Sequence, residues 1–437
     1  MGKTLLILSG GIEAVDAVNR AKELGHYVVV SDSDYQAPAV AIADSCLIAD
    51  VHGANETAAA AERFSRKIRK IDGVISVADA TLTAATVSQR LGLPGLSHAT
   101  AELASDKLAL KRRLAECGIP VPWCSEVDTP QALQRIAVER GRDLVIRPVD
   151  GHGSRGAQRV AQVADLNKAF LFARAQSASE RVMVEQVLAG PKVSTASIVV
   201  DGTCFTPGLC DRNDDDLERF APFFVENGGD FPSRLPEALQ SKVRDVVARA
   251  AAALGVTRGT VKGEVVVHDG EPTVIELSPR LSGGFVRLHT GVDFVGAAIK
   301  VALSEPVTAE ELAPKQSRPV VQRFAFPKAG EVVSVSGVED ARRIAGVNEV
   351  PAPPPITVMR LAESENISDI GSEFITMINC RPFRPSHHGF YSFFRQPRAA
   401  RHNEAMAHHP PNVEARMTNA ELMTKFSLSV SYHALGE

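Results

Sequence analysis

Residues 261–284, VKGEVVVHDGEPTVIELSPRLSGG, concentrate the side chains most able to do chemistry. Two alternating apolar stretches meet at Asp269-Gly270-Glu271, which predicts a β-hairpin. A three-residue loop over 269–271 sets Glu264 opposite Glu276, with Ser278 two residues on and on the same face. Side chains directly opposed on a sheet have Cβ atoms roughly 5 Å apart, and like charges there repel. A cation is therefore expected between them. Two carboxylates and a hydroxyl form an oxygen-only donor set, which suits magnesium with phosphate oxygens better than zinc. Two such ions could bridge the carboxylates to a triphosphate. The alternative is a hairpin face that is merely solvated.

Arg280 follows the second carboxylate by four residues, and Gly283-Gly284 come next, a turn where backbone N–H groups can approach an anion. A guanidinium fork matches the oxygens of a phosphoryl group. A second glycine-rich segment, Asp150-Gly151-His152-Gly153-Ser154-Arg155-Gly156, follows the strand-like run DLVIRPV. It fits a flap over phosphates. Further along, Arg287 and His289 could line a substrate pocket, with Arg287 as a carboxylate anchor; a surface charge and a packed histidine fit as well. The acidic run Asp211 to Asp216 could hold an ammonium group, or be a solvated turn.

The elements that must position these residues have a clear rhythm. TLLILS (4–9) ends at Gly10-Gly11, and a helical stripe through Ile12, Val15, Val18, Ala21 and Leu24 follows. Apolar runs at 27–30, 45–49 and 73–77 then alternate with helical stretches at about 54–70 and 81–92, the βαβα pattern of a parallel sheet. The glycines after the first strand lack the GxGxxG spacing of a dinucleotide site. From about 105 the pattern becomes α+β: a helix over 107–116 capped at Ser105-Asp106, hairpin signals at Asp201-Gly202 and Asp269-Gly270, and a helix over 236–254.

Composition narrows the field. The chain has 437 residues, 48 Lys and Arg against 52 Asp and Glu, and 44% hydrophobic residues, which describes a folded protein and gives no bulk charge for nucleic acid. Its six cysteines have no CxxC spacing, so neither a zinc site nor a redox pair is written in them. No apolar run reaches the ~18 residues of a membrane span, and none near the start resembles a signal segment. A cytoplasmic protein with neither a nucleic-acid nor a membrane partner is expected.

Taken in order, SDKLALKRRLAECGIPVP, VIRPVDGHGSRGAQRV, VMVEQVLAGPKVS and GEVVVHDGEPTVIELSPRLSGG resemble the ATP-grasp superfamily of carboxylate–amine ligases, in particular its carbamoyl-phosphate synthase and biotin carboxylase-like members and its amino-acid ligases. The resemblance implies an α/β and α+β chain. A Rossmann-like N-terminal domain would cover residues 1–100 and an ATP-grasp domain 101–310, with subdomains at about 101–185 and 186–310. A small C-terminal α/β segment would cover 311–380, and a disordered or unrelated tail 381–437.

It further implies the roles. Lys107 and Arg147 would reach the ATP phosphates, Gly153, Ser154, Arg155 and Gly156 would form the flap, and Glu185, Gln186 and Val187 the hinge that holds adenine. Glu264, Glu276 and Ser278 would bind the metal, and Arg280 would be the catalytic arginine at the acyl-phosphate. The implied reaction activates a small carboxylate with ATP and two Mg2+, for which Mn2+ could substitute, releases ADP and joins the acyl group to an amine, in the manner of amino-acid ligation. Small-molecule carboxylate and amine substrates follow, and the resemblance allows a homodimer. Two alternatives stand beside it: a purine-pathway-like formyl or carboxyl transfer to a phosphoribosyl amine, favoured by ELSPR, and a catalytically silent ATP-binding regulatory module. Three positions depart from the family pattern: Arg147 replaces a lysine, Lys192 the usual ribose-binding glutamate, and Ser278 the common asparagine.

Overall fold

The first apolar run forms β1 (Thr4–Leu8), buried along its whole length. A strand buried on both faces belongs inside a parallel layer covered by helices. It is joined there by β2 (Tyr27–Asp32), β3 (Ser45–Ile48) and β4 (Gly73–Ser76), all parallel, in the order β3-β2-β1-β4. Helices Ile12–Glu23, Ala54–Lys67 and Thr81–Leu91 make the connections. The turn after β1 is closed on itself. The Gly10 N–H donates to Asp32 Oδ2 at 2.6 Å, and a Cβ at Gly10 would stand 2.7 Å from the Ala37 side chain.

The computed structural model describes residues 2–323, other than 216 and 283, together with strands at Glu331–Ser336 and Ser429–His433. Most of the expected 311–380 segment and of the 381–437 tail therefore lies outside the described residues. The two outlying strands pair with each other, antiparallel.

Beyond helix Lys107–Glu116, four strands form the first antiparallel sheet: β5 (Cys124–Val127), β6 (Leu144–Pro148), β7 (Gln158–Arg159) and β8 (Val182–Gln186), in the order β5-β8-β6-β7. Helices Pro130–Arg140 and Leu166–Ala175 join its core, where Leu133, Ile146, Phe170 and Val184 are buried.

Six strands form the second antiparallel sheet: β9 (Lys192–Val200), β10 (Thr203–Arg212), β11 (Gly229–Phe231), β12 (Gly259–His268), β13 (Glu271–Ser278) and β14 (Val320–Gln322). Their order is β13-β12-β9-β10-β11-β14. β14 pairs with β11, so the start of the expected C-terminal segment completes this sheet. Helix Glu237–Ala253 packs on it through Val243, Val247 and Ala250.

Helix Phe294–Ala302 ties the N-terminal layer to the second sheet: Phe294 and Ile299 share one core with Leu5, Ile7 and Val28 and with Ala196 and Ile198. Each such side chain larger than alanine contributes roughly 1.5–3 kcal/mol when fully buried. The two units are thus held by a common core. Among the described residues no helix is long and apolar enough to cross a membrane.

Candidate active site

β12 and β13 place Glu264 directly opposite Glu276. The expected pairing is present, but a different turn produces it. The loop is two residues, not three: Asp269 and Gly270 have φ of 50° and 81°, the left-handed pair that a tight hairpin requires. This turn pairs His268 with Glu271, and the same register runs on to Val265 and Val274. Continued unchanged, it would put Ile275 opposite Glu264. A bulge at that step inserts one residue and brings Glu276 round instead. Since a one-residue slip turns a side chain to the other face of a sheet, the bulge makes the two carboxylates cross-strand neighbours.

Cations converge on this pair from three directions. Arg147, on β6 of the other sheet, donates from Nη2 to Glu276 Oε2 at 3.3 Å. Lys262, facing Ser278 across the hairpin, places Nζ 2.6 Å from Glu264 Oε1. Lys107, the first residue of its helix, is buried beside Glu276 and donates to the Gly151 carbonyl. Burial opposes ionisation of Glu276, but Lys107 and Arg147 outweigh it and hold the carboxyl well below its usual range. Burial also lowers the Lys107 ammonium from its ordinary value, against the pull of Glu276. Ser278 Oγ lies 3.5 Å from Glu276 Oε1.

The donor set fits magnesium. Among the described residues no group of three or more His, Cys, Asp or Glu converges as a metal cage. Two carboxylates beside one hydroxyl leave most of an octahedral shell to water and phosphate oxygens, which is how magnesium is usually held with a nucleotide.

The cleft beside this hairpin is lined by Asp79, Thr81, Lys107, His152, Glu276 and Ser278. Asp79 comes from the N-terminal layer, and its Oδ1 accepts from Arg280 Nε. Burial works against its charge, yet Arg280 and His152 keep its carboxyl below the ordinary range. His152 stacks on His52, with ring centroids 5.4 Å apart, and burial pushes its imidazole down to about 4. His152 belongs to the glycine-rich segment, in which Gly153, Ser154 and Gly156 all have left-handed φ. A Cβ at Gly151 would lie 2.4 Å from Pro148, so glycine lets the segment fold back onto β6. Arg155 donates from Nε to the His152 carbonyl at 3.2 Å.

A family model described as an ATP-grasp domain matches residues 104–284, and one described as an ATP-grasp N-terminal domain matches residues 18–95, together more than half of the chain. The chain belongs to the ATP-grasp superfamily of carboxylate–amine ligases. It is 29% identical over 369 residues to the uncharacterized protein y4rH of Sinorhizobium fredii, a match spanning 80% of this chain and 73% of that protein. It is 28% identical over 211 residues to the D-alanine–D-alanine ligase of Desulforudis audaxviator, covering 43% of this chain and 63% of the ligase. Among solved structures, L-amino acid ligase from Bacillus licheniformis superposes with a TM-score of 0.66 at 22% identity, over 78% of this chain and 85% of that one. At that identity the likeness is one of fold.

Within the ATP-grasp frame, the stretch expected to hold adenine is partly committed elsewhere. The Glu185 carboxylate is buried between Lys111 Nζ at 2.9 Å and Arg147 Nη1 at 3.0 Å. Burial opposes its charge and the two cations outweigh it, so its carboxyl titrates below its usual value. The Gln186 and Val187 N–H groups donate to the Trp123 and Asp143 carbonyls, both at 2.9 Å. Lys192 is partly buried, with Nζ 2.8 Å from Glu226 Oε1 and 3.4 Å from Asp214 Oδ1, and Arg212 pairs with the same Glu226. In the acidic run, Asp211 is taken by Ser233 and Arg234 and Asp214 by Lys192, while Asp216 lies outside the described residues.

Arg287 and His289 sit apart from the carboxylate pair, on helix Gly284–Thr290. Arg287 is exposed and acts electrostatically on Asp16 of the N-terminal layer. His289 is buried against Phe231, its Nδ1 2.8 Å from the Arg318 carbonyl. Sequence reasoning missed Asp79, Lys111, Lys262 and Glu226. Lys262 carried a signal, two residues before Glu264 on the same strand face. The other three are long-range partners with no local pattern.

Proposed function

We propose that the protein is an ATP-dependent ligase that activates a small carboxylate as an acyl-phosphate, releases ADP and joins the acyl group to an amine, with amino-acid ligation as the favoured form. The observation that carries this reading is the Glu264–Glu276 pair with Lys107, Arg147 and Lys262 upon it and Arg280, bonded to Asp79 of the cleft wall, acting electrostatically on both carboxylates. A carboxylate and a triphosphate repel each other, so bringing them together demands concentrated positive charge. The cleft supplies it from both sheets.

In this reading Lys107 and Arg147 hold the phosphates, Gly153 to Gly156 cover them, and the Glu185–Val187 stretch borders adenine. Glu264, Glu276 and Ser278 hold magnesium, as two ions, with manganese expected to substitute. Magnesium would draw charge from the phosphate oxygens during transfer. Arg280 meets the negative charge that develops on the acyl-phosphate and on its adduct with the amine. Arg287 is available as a substrate carboxylate anchor, while His289 supports its helix from behind.

Phosphorus NMR of the protein with ATP and magnesium, with and without a pool of amino acids, tests the reading, with mass spectrometry of the same samples. ADP and phosphate that appear only with the pool support it, and the product mass names the substrates. AMP and pyrophosphate would refute it, since they report adenylation. Transfer to a phosphoribosyl amine, suggested by ELSPR at 276–280, is distinguished by turnover with that amine and none with amino acids. A silent regulatory ATP binder would hold ATP and release no ADP with either.

A further inference from the structure

Asp79 stands on the loop between β4 and helix Thr81–Leu91, 201 residues from Arg280 in sequence, yet its Oδ1 accepts from Arg280 Nε. Its Oδ2 lies 3.9 Å from His152 Nδ1. The backbone ties the same two segments together, since the Leu281 N–H donates to the Ser76 carbonyl at 2.8 Å. Packing alone does not hold Arg280. With Pro279 it borders a cavity of about 70 Å³ whose other walls include Ile75, Ala85, Leu96 and Ala298. A guanidinium beside open space can rotate, and a bond at Nε is what fixes its plane.

We infer that Asp79 is a positioning residue for the reaction: the N-terminal layer uses it to aim the Arg280 guanidinium into the cleft. The inference rests on the ligase reading, in which Arg280 meets the developing charge. A planar fork matches an oxyanion only in one orientation, and a misplacement of about 1 Å at a reacting centre costs on the order of 10²-fold in rate. The competing role for the pair is simple docking of the N-terminal layer. Arg20 and Asp293, whose Nη2 and Oδ2 are 2.6 Å apart, also dock that layer and take no part in lining the cleft, so they provide the control.

The test measures ADP release by the full chain with ATP, magnesium and an amino-acid pool, for Asp79→Ala in the wild-type and Arg280→Ala backgrounds, and for Asp79→Asn and Arg20→Ala. In the wild-type background Asp79→Ala is expected to lower kcat about 30–100-fold with the KM for ATP within about 3-fold. In the Arg280→Ala background it should lower kcat by less than about 2-fold, because its only route of action is gone. Asp79→Asn keeps an oxygen for Nε and should recover part of the rate, while Arg20→Ala stays near wild type. An equal fall in both backgrounds, or the same fall in Arg20→Ala, overturns the inference. Should Asp79→Ala not fold, Asp79→Asn is run in the same two backgrounds with the same criterion.

Absence of ADP from the wild type would count against the ligase reading, and a second readout then decides on Asp79 alone. The Nε–H resonance of Arg280, identified by its loss in Arg280→Lys, should be protected from exchange in the wild type and lose that protection when Asp79 is replaced by alanine. A protected resonance in Asp79→Ala would overturn the inference.

Discussion

Arg147 Nη2 on β6 lies 3.3 Å from Glu276 Oε2 on β13, so a single ion pair spans the cleft between the two sheets. The other arm of the same guanidinium reaches Glu185 at 3.0 Å. A lysine could carry the charge here but could not span both carboxylates, because an ammonium is a point and not a fork. Arg147→Ala leaves Glu185 in a buried position with Lys111 as its remaining ion-pair partner. Breaking a buried pair in this way costs roughly 3–5 kcal/mol. Denaturant unfolding should show a loss of that order for Arg147→Ala and a smaller one for Arg147→Lys, which retains the charge. Equal stability of all three proteins would mean that the fork contributes nothing to the fold.

Glu264 and Glu276 are expected to separate activity from stability. In the proposed function, replacing either by glutamine removes a carboxylate that would hold magnesium, and kcat should fall at least about 10²-fold, a loss of roughly 3 kcal/mol in transition-state stabilisation. Their stabilities should differ. Glu264 pairs with Lys262 at a partly exposed position, and such a pair is worth no more than about 1 kcal/mol. Glu276 is itself partly exposed, but it balances two cations that are well buried, Lys107 and Arg147, so its loss leaves both under-compensated. Melting curves should therefore fall for Glu276→Gln and barely move for Glu264→Gln. Near-normal turnover in either variant would make the hairpin a structural feature only.

The carboxylate pair was legible in the sequence because tight-turn chemistry is local: Asp269-Gly270 announces a hairpin, and the distance from the turn gives the partner. The register nonetheless rests on a bulge that no residue pattern announced, and a three-residue loop happens to give the same pairing. The parallel N-terminal layer was legible through its apolar runs, whose period needs no tertiary information. Asp79 was not. It is one carboxylate in an unremarkable loop, and only the shared core around helix Phe294–Ala302 brings that loop against Arg280. Glu185 shows the reverse case, since its motif position suggested the adenine hinge while burial between Lys111 and Arg147 commits its carboxylate to the interior.

His152 makes stability depend on pH in a definite direction. A free imidazole titrates near about 6.5, whereas burial holds this one down to about 4. Between those values the unfolded chain binds a proton that the folded chain refuses, so stability is full above about pH 6.5 and declines as the pH falls towards 4. His152→Gln should flatten the melting temperature across this window relative to the wild type. An unchanged slope would mean that other groups carry the dependence.

The resemblance sets Lys192 where a ribose-binding glutamate is usual, and placing a glutamate there is expected to fail. The partly buried Lys192 ammonium lies against Glu226 and Asp214; desolvation works against its charge, but these carboxylates hold its pKa above the ordinary value. Arg212 shares Glu226, so two cations and two carboxylates form one balanced cluster. Lys192→Glu would turn it into three carboxylates around one arginine, and breaking this partly buried pair costs up to roughly 3 kcal/mol, the low end for a buried pair, before the new repulsion is added. Glu226→Gln should also destabilise, by leaving Lys192 and Arg212 facing each other with less compensation. The double variant Lys192→Met with Glu226→Gln is expected to be more stable than Glu226→Gln alone, because it removes the cation that was stranded. Chemical unfolding of the three variants, with nucleotide affinity measured alongside, checks the ordering. Tighter ATP binding by a folded Lys192→Glu protein would show that the cluster is a substitute for the ribose contact and not a structural element in its own right.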